Sequence, residues 1–446
     1  MNNRSLDLDS DLVQRIFAWA EARVRSDPDP KSGGWRAGVT HPMLPNAITA
    51  QGLGADNALV HFQETIVPTT RVNEDAMNFA FVAASPSSTG LAFEAAVAAL
   101  NVFGGNWDNA AGAIQAENQA LRWLADCAGY PEGSGGTFVA GGTSGNLSAL
   151  VAAREYRAMT LGTRPARWVL VCSAESHSSI ASAAKVMDAD LIMIPSDERG
   201  RMRVDLLETL IPEPDAVFAI VGNAGATNCG AIDDFNAISA YAKPRGIWLH
   251  VDGAYGLGAL ASASAKELFS GLELSDSFII DPHKWLFAPY DSCALIYKEP
   301  EYAAAAHAQR AVYLDAIKQN HWNPSDYAIH LSRRLRGLAF WFSLAVHGTD
   351  AYRAAIDATL QTTKDIAEQI QADPNLELLI PPSLSVILFR RPKMSRAEME
   401  DWSEAKMRAG EILCLPTLWR GEDVYRLCLV HPNTKTDAVM KQLRTL

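Results

Sequence analysis

Between residues 137 and 297 the chain alternates short apolar runs with stretches of helical spacing, an order that few folds accommodate. The runs cover 137–139, 168–172, 191–194, 217–221, 248–251, 278–280 and 294–297. Each is too short for a stable helix and rich in β-branched or aromatic residues, so each reads as a buried strand. Strands separated by helices predict an α/β fold with a mainly parallel sheet covered on both faces. Ligands of such folds bind outside the carboxyl ends of the strands. Polar residues just past each run are therefore the first candidates for a site.

The flanks differ in character. Ser10 can cap a helix carrying Leu12, Val13, Ile16, Phe17 and Ala20, with breakers at 27–30 and at Gly33 and Gly34. Residues 35–85 have weak periodicity and read as an irregular segment that wraps over another body. Helical spacing returns at 91–103 and 114–128, the latter closed by Gly129 and Pro131. After a loop over 311–331, helices are expected at 332–347 and 350–371. The tail carries strands near 376–380, 385–389 and 424–430 and helices near 395–409 and 434–446. This α+β layout sets off a smaller C-terminal domain. The expected division is an N-terminal segment 1–85, a large domain 86–349 and a small domain 350–446.

Bulk properties exclude some partners. There are 39 basic and 51 acidic residues, a net charge of −12, which argues against nucleic-acid and anionic-membrane partners. No apolar run approaches the ~18 residues of a membrane span. The first residues lack the basic-then-apolar pattern of a secretory signal, so a cytoplasmic location is expected. The six cysteines are scattered, with no C-x-x-C pair, and suit a reduced compartment. No metal site is expected.

The chemistry concentrates past the strands. The run 278–280 stops at Pro282, and His283 and Lys284 follow. A lysine there sits at the sheet rim, where desolvation would lower its pKa and favour Schiff-base chemistry; an isolated one is ordinarily a surface residue. Asp252 follows 248–251 in HVDGAYG, His177 follows 168–172 in AESHSSI, and Thr227 follows 217–221. The turn Gly141-Gly-Thr-Ser-Gly-Asn146 opens a helix, where backbone N–H groups, Thr143 and Ser144 could hold a phosphate. These residue types together suit pyridoxal phosphate, with Asp252 keeping its ring nitrogen protonated and His177 stacking on its face. Taken singly, Asp252 could be a helix cap, His177 a core histidine, Thr227 a turn residue and the glycines a tight bend.

HVDGAYG, thirty-two residues before DPHKWLF (284 − 252), with AESHSSI and GGTSGNLSALVAAR, resembles the pyridoxal-phosphate-dependent group II amino-acid decarboxylases. The resemblance is strong over about residues 76–350. It implies a fold type I, aminotransferase-type large domain, and an obligate homodimer with active sites at the subunit interface. It makes Lys284 the lysine that binds the cofactor, Asp252 the ring-nitrogen partner and His177 the stacking residue, with Ala254 on the opposite ring face. Thr143, Ser144 and Gly145 then form the phosphate cup, and Thr227 and His283 lie among the cofactor contacts. Asp326-Tyr-Ala-Ile-His-Leu-Ser-Arg-Arg334 looks like the family's mobile loop, with Tyr327 as the catalytic acid that protonates Cα.

The family's H-P-x-F-x-A-F motif is replaced by Asp75-Ala-Met-Asn-Phe-Ala-Phe81, and Asp281 stands where asparagine is common. Asp281 is expected to point away from the phosphate or to bond a backbone amide. Phe79, Phe81, Phe103 and Trp107 suggest a pocket for an aromatic or large apolar amino acid, although these rings could equally be core residues. No arginine cluster suits an acidic side chain. The expected reaction is decarboxylation of an L-amino acid to an amine. Alternatives are oxidative deamination to an aldehyde, transamination or another lyase reaction, and a non-catalytic protein that keeps the fold.

Overall fold

The computed structural model describes residues 10–26, 46–71, 73–309 and 321–446. One sheet contains β1 (Gly135–Val139), β2 (Val169–Ser173), β3 (Asp190–Ile194), β4 (Val217–Asn223), β5 (Trp248–Asp252), β6 (Ser277–Ile280) and β7 (Cys293–Tyr297). Their order is β1-β7-β6-β5-β4-β2-β3. β3, β2, β4, β5 and β6 are mutually parallel, whereas β7 runs antiparallel to both β6 and β1. Every apolar run named above is a strand of this sheet.

The runs are continuous rather than alternating because both faces are covered. Phe138, Val171, Ile220, Val251, Phe278 and Ile296 point into one core. Their chain neighbours Val139, Leu170, Val221, Ile279 and Leu295 point into the other. The helix Gly142–Leu161 covers the second face, and its buried Ala149, Ala152 and Ala153 let it lie close. The first face is covered by Trp107–Cys127, through Leu121 and Leu124, and by Phe235–Ala242.

A second, antiparallel sheet has the order β10-β11-β9-β8, with β8 (Glu377–Leu378), β9 (Val386–Arg390), β10 (Leu415–Trp419) and β11 (Glu422–Cys428). Helices Arg396–Ala409 and Thr436–Leu443 bury Met399, Val439 and Met440 against it. β10 was not expected from sequence: it carries Pro416, which is tolerated because the strand lies at an edge.

Two expectations need correction, and one lies outside the described residues. The stretch 35–85 is not irregular throughout, because Ala55–His61 is helical and continues through a wide turn, Phe62–Ile66, to Val67–Thr69, which contains Pro68. The breakers at 27–34 and part of the loop over 311–331 lie outside the described residues. The two helices expected at 332–347 and 350–371 are one element, Leu338–Ala372, kinked at Gly348 with φ of 75°.

That element starts later than expected because Arg333 is drawn into the core. Its Nη2 lies 2.8 Å from Glu117 Oε1, with both side chains almost fully buried. Its Nη1 donates to Gly104 O at 2.9 Å, and the Gly337 N–H donates to the same Glu117 oxygen at 2.7 Å. Removing one partner of such a pair strands a buried charge. Glu117→Ala is expected to cost about 3–5 kcal/mol, measured by denaturant unfolding against the parent chain. A loss within the range of an exposed ion pair, below about 1 kcal/mol, would contradict this.

Candidate active site

The carboxyl ends of β4, β5 and β6 meet at one level, with Asn223 opposite Asp252 and Asp252 opposite Ile279. β6 stops at Ile280, and Pro282 opens a one-turn helix, Pro282–Trp285, at a position where its missing N–H costs nothing. Trp285 is fully buried and stacks on Tyr255 with ring centroids 5.4 Å apart, which anchors that turn. Lys284 is thereby held at the rim of a cavity of about 310 Å³, lined also by Asp252 and His177. This is the lower end of the ~300–1,000 Å³ that small-molecule sites span.

Lys284 Nζ lies 2.9 Å from Asp281 Oδ2, and the Asp281 side chain is 2% exposed. Asp281 therefore does not point away from the site or cap an amide; it is the lysine's ion partner, with its Oδ1 buried and unbonded. This also corrects the expected sign of the lysine's shift. Burial pulls the amine pKa down, but the charges of Asp281 and Asp252 outweigh it and leave the amine above the ordinary lysine value. For Asp281, burial pushes the pKa up, and Lys284 and His283 more than offset this, leaving it below the usual carboxylate value. Their pairing contributes stability that is lost as pH falls through the depressed Asp281 value or rises through the raised Lys284 value.

Covalent capture of an aldehyde needs the amine lone pair, so its rate is expected to rise with pH across about pH 6 to 10. Asp281→Asn removes the main raising charge and leaves the burial. Capture is then expected to speed up near neutrality, with the pH profile displaced downwards, as read by stopped-flow absorbance of coenzyme uptake. An unshifted profile would contradict the role given to Asp281.

Asp252 accepts on both oxygens, from the Ala254 N–H at 3.1 Å and from Asn146 Nδ2 at 2.9 Å. His177 caps the helix Ser178–Val186, its Nδ1 accepting from the Ser179 N–H at 3.2 Å. Ala254 and Thr227 also line the cavity. His283 does so too, with Nδ1 donating to Ser292 O at 2.7 Å. Thr143 and Ser144 stand in the first turn of Gly142–Leu161, which has no side-chain cap, so that its N–H groups face an open end.

The glycine turn shows why no larger residue would serve. A Cβ on Gly142 would lie 3.2 Å from Asp281 Oδ2 and 3.3 Å from Ala254 Cβ. Gly145 does not line the cavity. Its N–H is bonded to Gly141 O, and a Cβ there would meet Ile279 at 2.8 Å, so it serves the seating of the helix on the sheet.

Five other candidates also lie outside the cavity wall. Phe79 is buried in the core of the second sheet. Phe81, with φ of 57°, is 69% exposed. Phe103 lies half-buried against Gly105, and Trp107 packs on the core that contains Leu335 and stacks on His321 at 5.5 Å. Tyr327 stacks on Trp322 at 4.2 Å and is 9% exposed, within the core shared with Gly142–Leu161. Its place is set by packing of an aromatic pair, a tendency that a motif match does not reveal.

Two groups escaped the sequence reading. Tyr290 lines the cavity half-exposed, and burial of its phenol raises its pKa. Arg426, buried on β11, donates from Nε to Thr227 O at 2.8 Å and from Nη1 to Phe81 O at 2.5 Å, while Nη2 is buried and unbonded. An arginine amid the apolar residues of a strand was the available signal.

An amine, a carboxylate, an imidazole and an uncapped helix start thus surround one space, a donor set that fits an aldehyde, a ring nitrogen, a ring face and a phosphate. Comparison with known proteins agrees. Residues 38–391 match the pyridoxal-dependent decarboxylase conserved domain. The aromatic-L-amino-acid decarboxylase of Bacillus atrophaeus is 30% identical over 401 residues, 86% of this chain and 83% of that one. The L-2,4-diaminobutyrate decarboxylase of Rhizobium meliloti is 32% identical over 369 residues, 79% of this chain and 73% of that one. The crystal structure of Oryza sativa TDC with PLP and tryptamine superposes with a TM-score of 0.87 at 20% identity, covering 98% of this chain and 97% of that one. That likeness confirms the fold type I architecture. The chain belongs to the pyridoxal-dependent decarboxylases, enzymes that use pyridoxal phosphate to remove the carboxyl group of an amino acid.

Proposed function

We propose that the cavity at Lys284 is the decarboxylation site and that its substrate is an L-amino acid with an aromatic or large apolar side chain. The observation that carries the site is the convergence of Lys284, Asp252 and His177 on one cavity. When bound, pyridoxal phosphate supplies a ring that accepts the electrons left on Cα as CO₂ departs. Lys284 Nζ holds the coenzyme's aldehyde carbon. The Asp252 carboxylate pairs with the ring nitrogen, and His177 and Ala254 confine the ring faces. Thr143 and Ser144 donate to the phosphate at the open helix end. His283 braces the Asp281 side of the site, and Thr227 holds the substrate edge.

Arg426 supports binding of the substrate carboxylate, since its Nη2 is the buried donor without a partner beside Thr227. The Lys284 ammonium and the Tyr290 phenol face the cavity, and either can deliver a proton to Cα. Tyr290→Phe is expected to lower amine formation, whereas Tyr327→Phe leaves it unchanged; the reverse pattern would return the acid's role to Tyr327.

The side-chain class rests on the rim. Tyr290 and Phe81 are exposed aromatic rings, one on the cavity wall and one joined to it through Arg426 and Thr227. A cationic substrate would need a free carboxylate there, but Asp291 on the wall already pairs with Arg336 at 2.8 Å. A panel of L-amino acids, read by CO₂ and amine release, tests this. Turnover confined to diamino acids would overturn the side-chain class. Aldehyde with peroxide, or keto acid, in place of amine would favour the oxidative or transaminating alternative.

A homodimer in the cytoplasm completes the reading. Helix Ser10–Arg25 buries none of its residues, and Ile16 and Phe17 are 43% and 53% exposed, an apolar face suited to a second copy. The kink at Gly348 supports a boundary between large and small domains near residue 350. Among the described residues no helix is long and apolar enough to cross a membrane. Sedimentation of the full chain as a monomer at micromolar concentration would remove the dimer.

A further inference from the structure

The two groups that flank the coenzyme space share one buried amide. Asn146, 1% exposed, lies under the cavity on the helix Gly142–Leu161. Its Nδ2 is 2.9 Å from Asp252 Oδ2 and 3.0 Å from Ser179 Oγ, and its Oδ1 is 2.9 Å from His250 Nε2. His250, fully buried, bonds through Nδ1 to Ser277 Oγ at 2.8 Å, and Trp248 Nε1 donates to the same oxygen at 2.8 Å. Ser179 Oγ is 2.9 Å from His177 Nδ1.

Donor and acceptor chemistry orders this network completely. A carboxylate only accepts, so the amide must present its NH₂ to Asp252 and its oxygen to His250. His250 therefore carries its proton on Nε2 and accepts at Nδ1 from the Ser277 hydroxyl. The hydroxyl in turn accepts from the Trp248 indole, which only donates. On the other branch we assign His177 Nδ1 as the acceptor of the Ser179 N–H at 3.2 Å; the Ser179 hydroxyl, 2.9 Å away, then donates to it while accepting from Asn146. The proton of His177 is left on Nε2. No group in the chain of bonds can pass a proton to Asp252.

We infer that Asn146 is a positioning residue: its amide separates His250 from Asp252, keeps Asp252 a pure acceptor, and fixes the His177 proton on Nε2. His250 and Asp252 are two apart on β5 and so face the same side. Without the amide they would be neighbours and could share a proton. Burial already pushes His250 down to about 4, and Asp252 is the charge that opposes this. The other titratable groups near this assembly are Lys284, Asp281, His283, Tyr255, Tyr290 and Asp291 around the cavity and the buried Cys293. The inference rests on the coenzyme reading for its consequence but not for its test.

Neutron diffraction from the full chain without added coenzyme decides the proton order. Deuterium on Nε2 and not Nδ1 of both His177 and His250, with the Asn146 ND₂ group towards Asp252, is expected. Deuterium on either Nδ1, or on Asp252, overturns the inference. Coenzyme-loaded Asn146→Ala is expected to gain a titration of the coenzyme absorbance between about pH 5 and 8, absent from the parent and abolished by adding His250→Phe. A titration that survives the second substitution, or none at all, also overturns it. If Asn146→Ala does not fold, the neutron map alone decides. Protein that shows the expected map but stays colourless with pyridoxal phosphate would sink the coenzyme reading and leave the amide's role intact.

Discussion

Lys284→Ala is expected to abolish decarboxylation, with turnover down by on the order of 10⁴ or more. The reason is positional as well as chemical. Lys284 is the one lysine lining the cavity among the described residues, so no second amine can take over its covalent task. The substitution also strands Asp281, whose side chain is 2% exposed and whose ion partner at 2.9 Å would be gone. A modest loss of stability is therefore expected alongside the loss of activity, and circular dichroism should still report a folded chain. The coenzyme's visible absorbance should vanish after gel filtration. Retained colour with normal turnover would show that another residue carries the coenzyme.

Replacing Asp252 by asparagine is expected to lower kcat by about 10²–10³-fold, the scale of losing one preorganised charge at a reacting centre. Asp252 receives an N–H on each oxygen, from Ala254 and Asn146. An amide at that position sets an NH₂ against an N–H whichever way it turns, and it brings no negative charge to the ring nitrogen. The coenzyme should remain attached to Lys284, so absorbance persists while turnover falls. That split separates an electronic role from a binding one. Unchanged kcat would remove Asp252 from the account.

Much of this architecture was legible because burial on both faces leaves a plain trace. β4 is buried from Val217 to Asn223, and its apolar run could hardly be anything but a central strand. The rim residues followed from the same logic, since Asp252 ends β5 and Lys284 stands in the turn that follows β6. Long-range charge pairing was not legible. Asp281 sits three residues before Lys284, yet only the turn at Pro282 reveals that it faces the amine. Arg333 looked like the start of a helix until Glu117, far away in sequence, took it into the core. The aromatic residues misled for a related reason: Phe79 and Tyr327 fill cores as readily as they line pockets, and sequence does not say which partner ring they will meet.

Covalent attachment is the claim on which the rest depends. Incubation of the full chain with pyridoxal phosphate, reduction with borohydride and peptide mapping tests it directly. One modified peptide, carrying the reduced coenzyme on Lys284, is the expected result. Modification spread over surface lysines, or confined to a lysine other than Lys284, would contradict it.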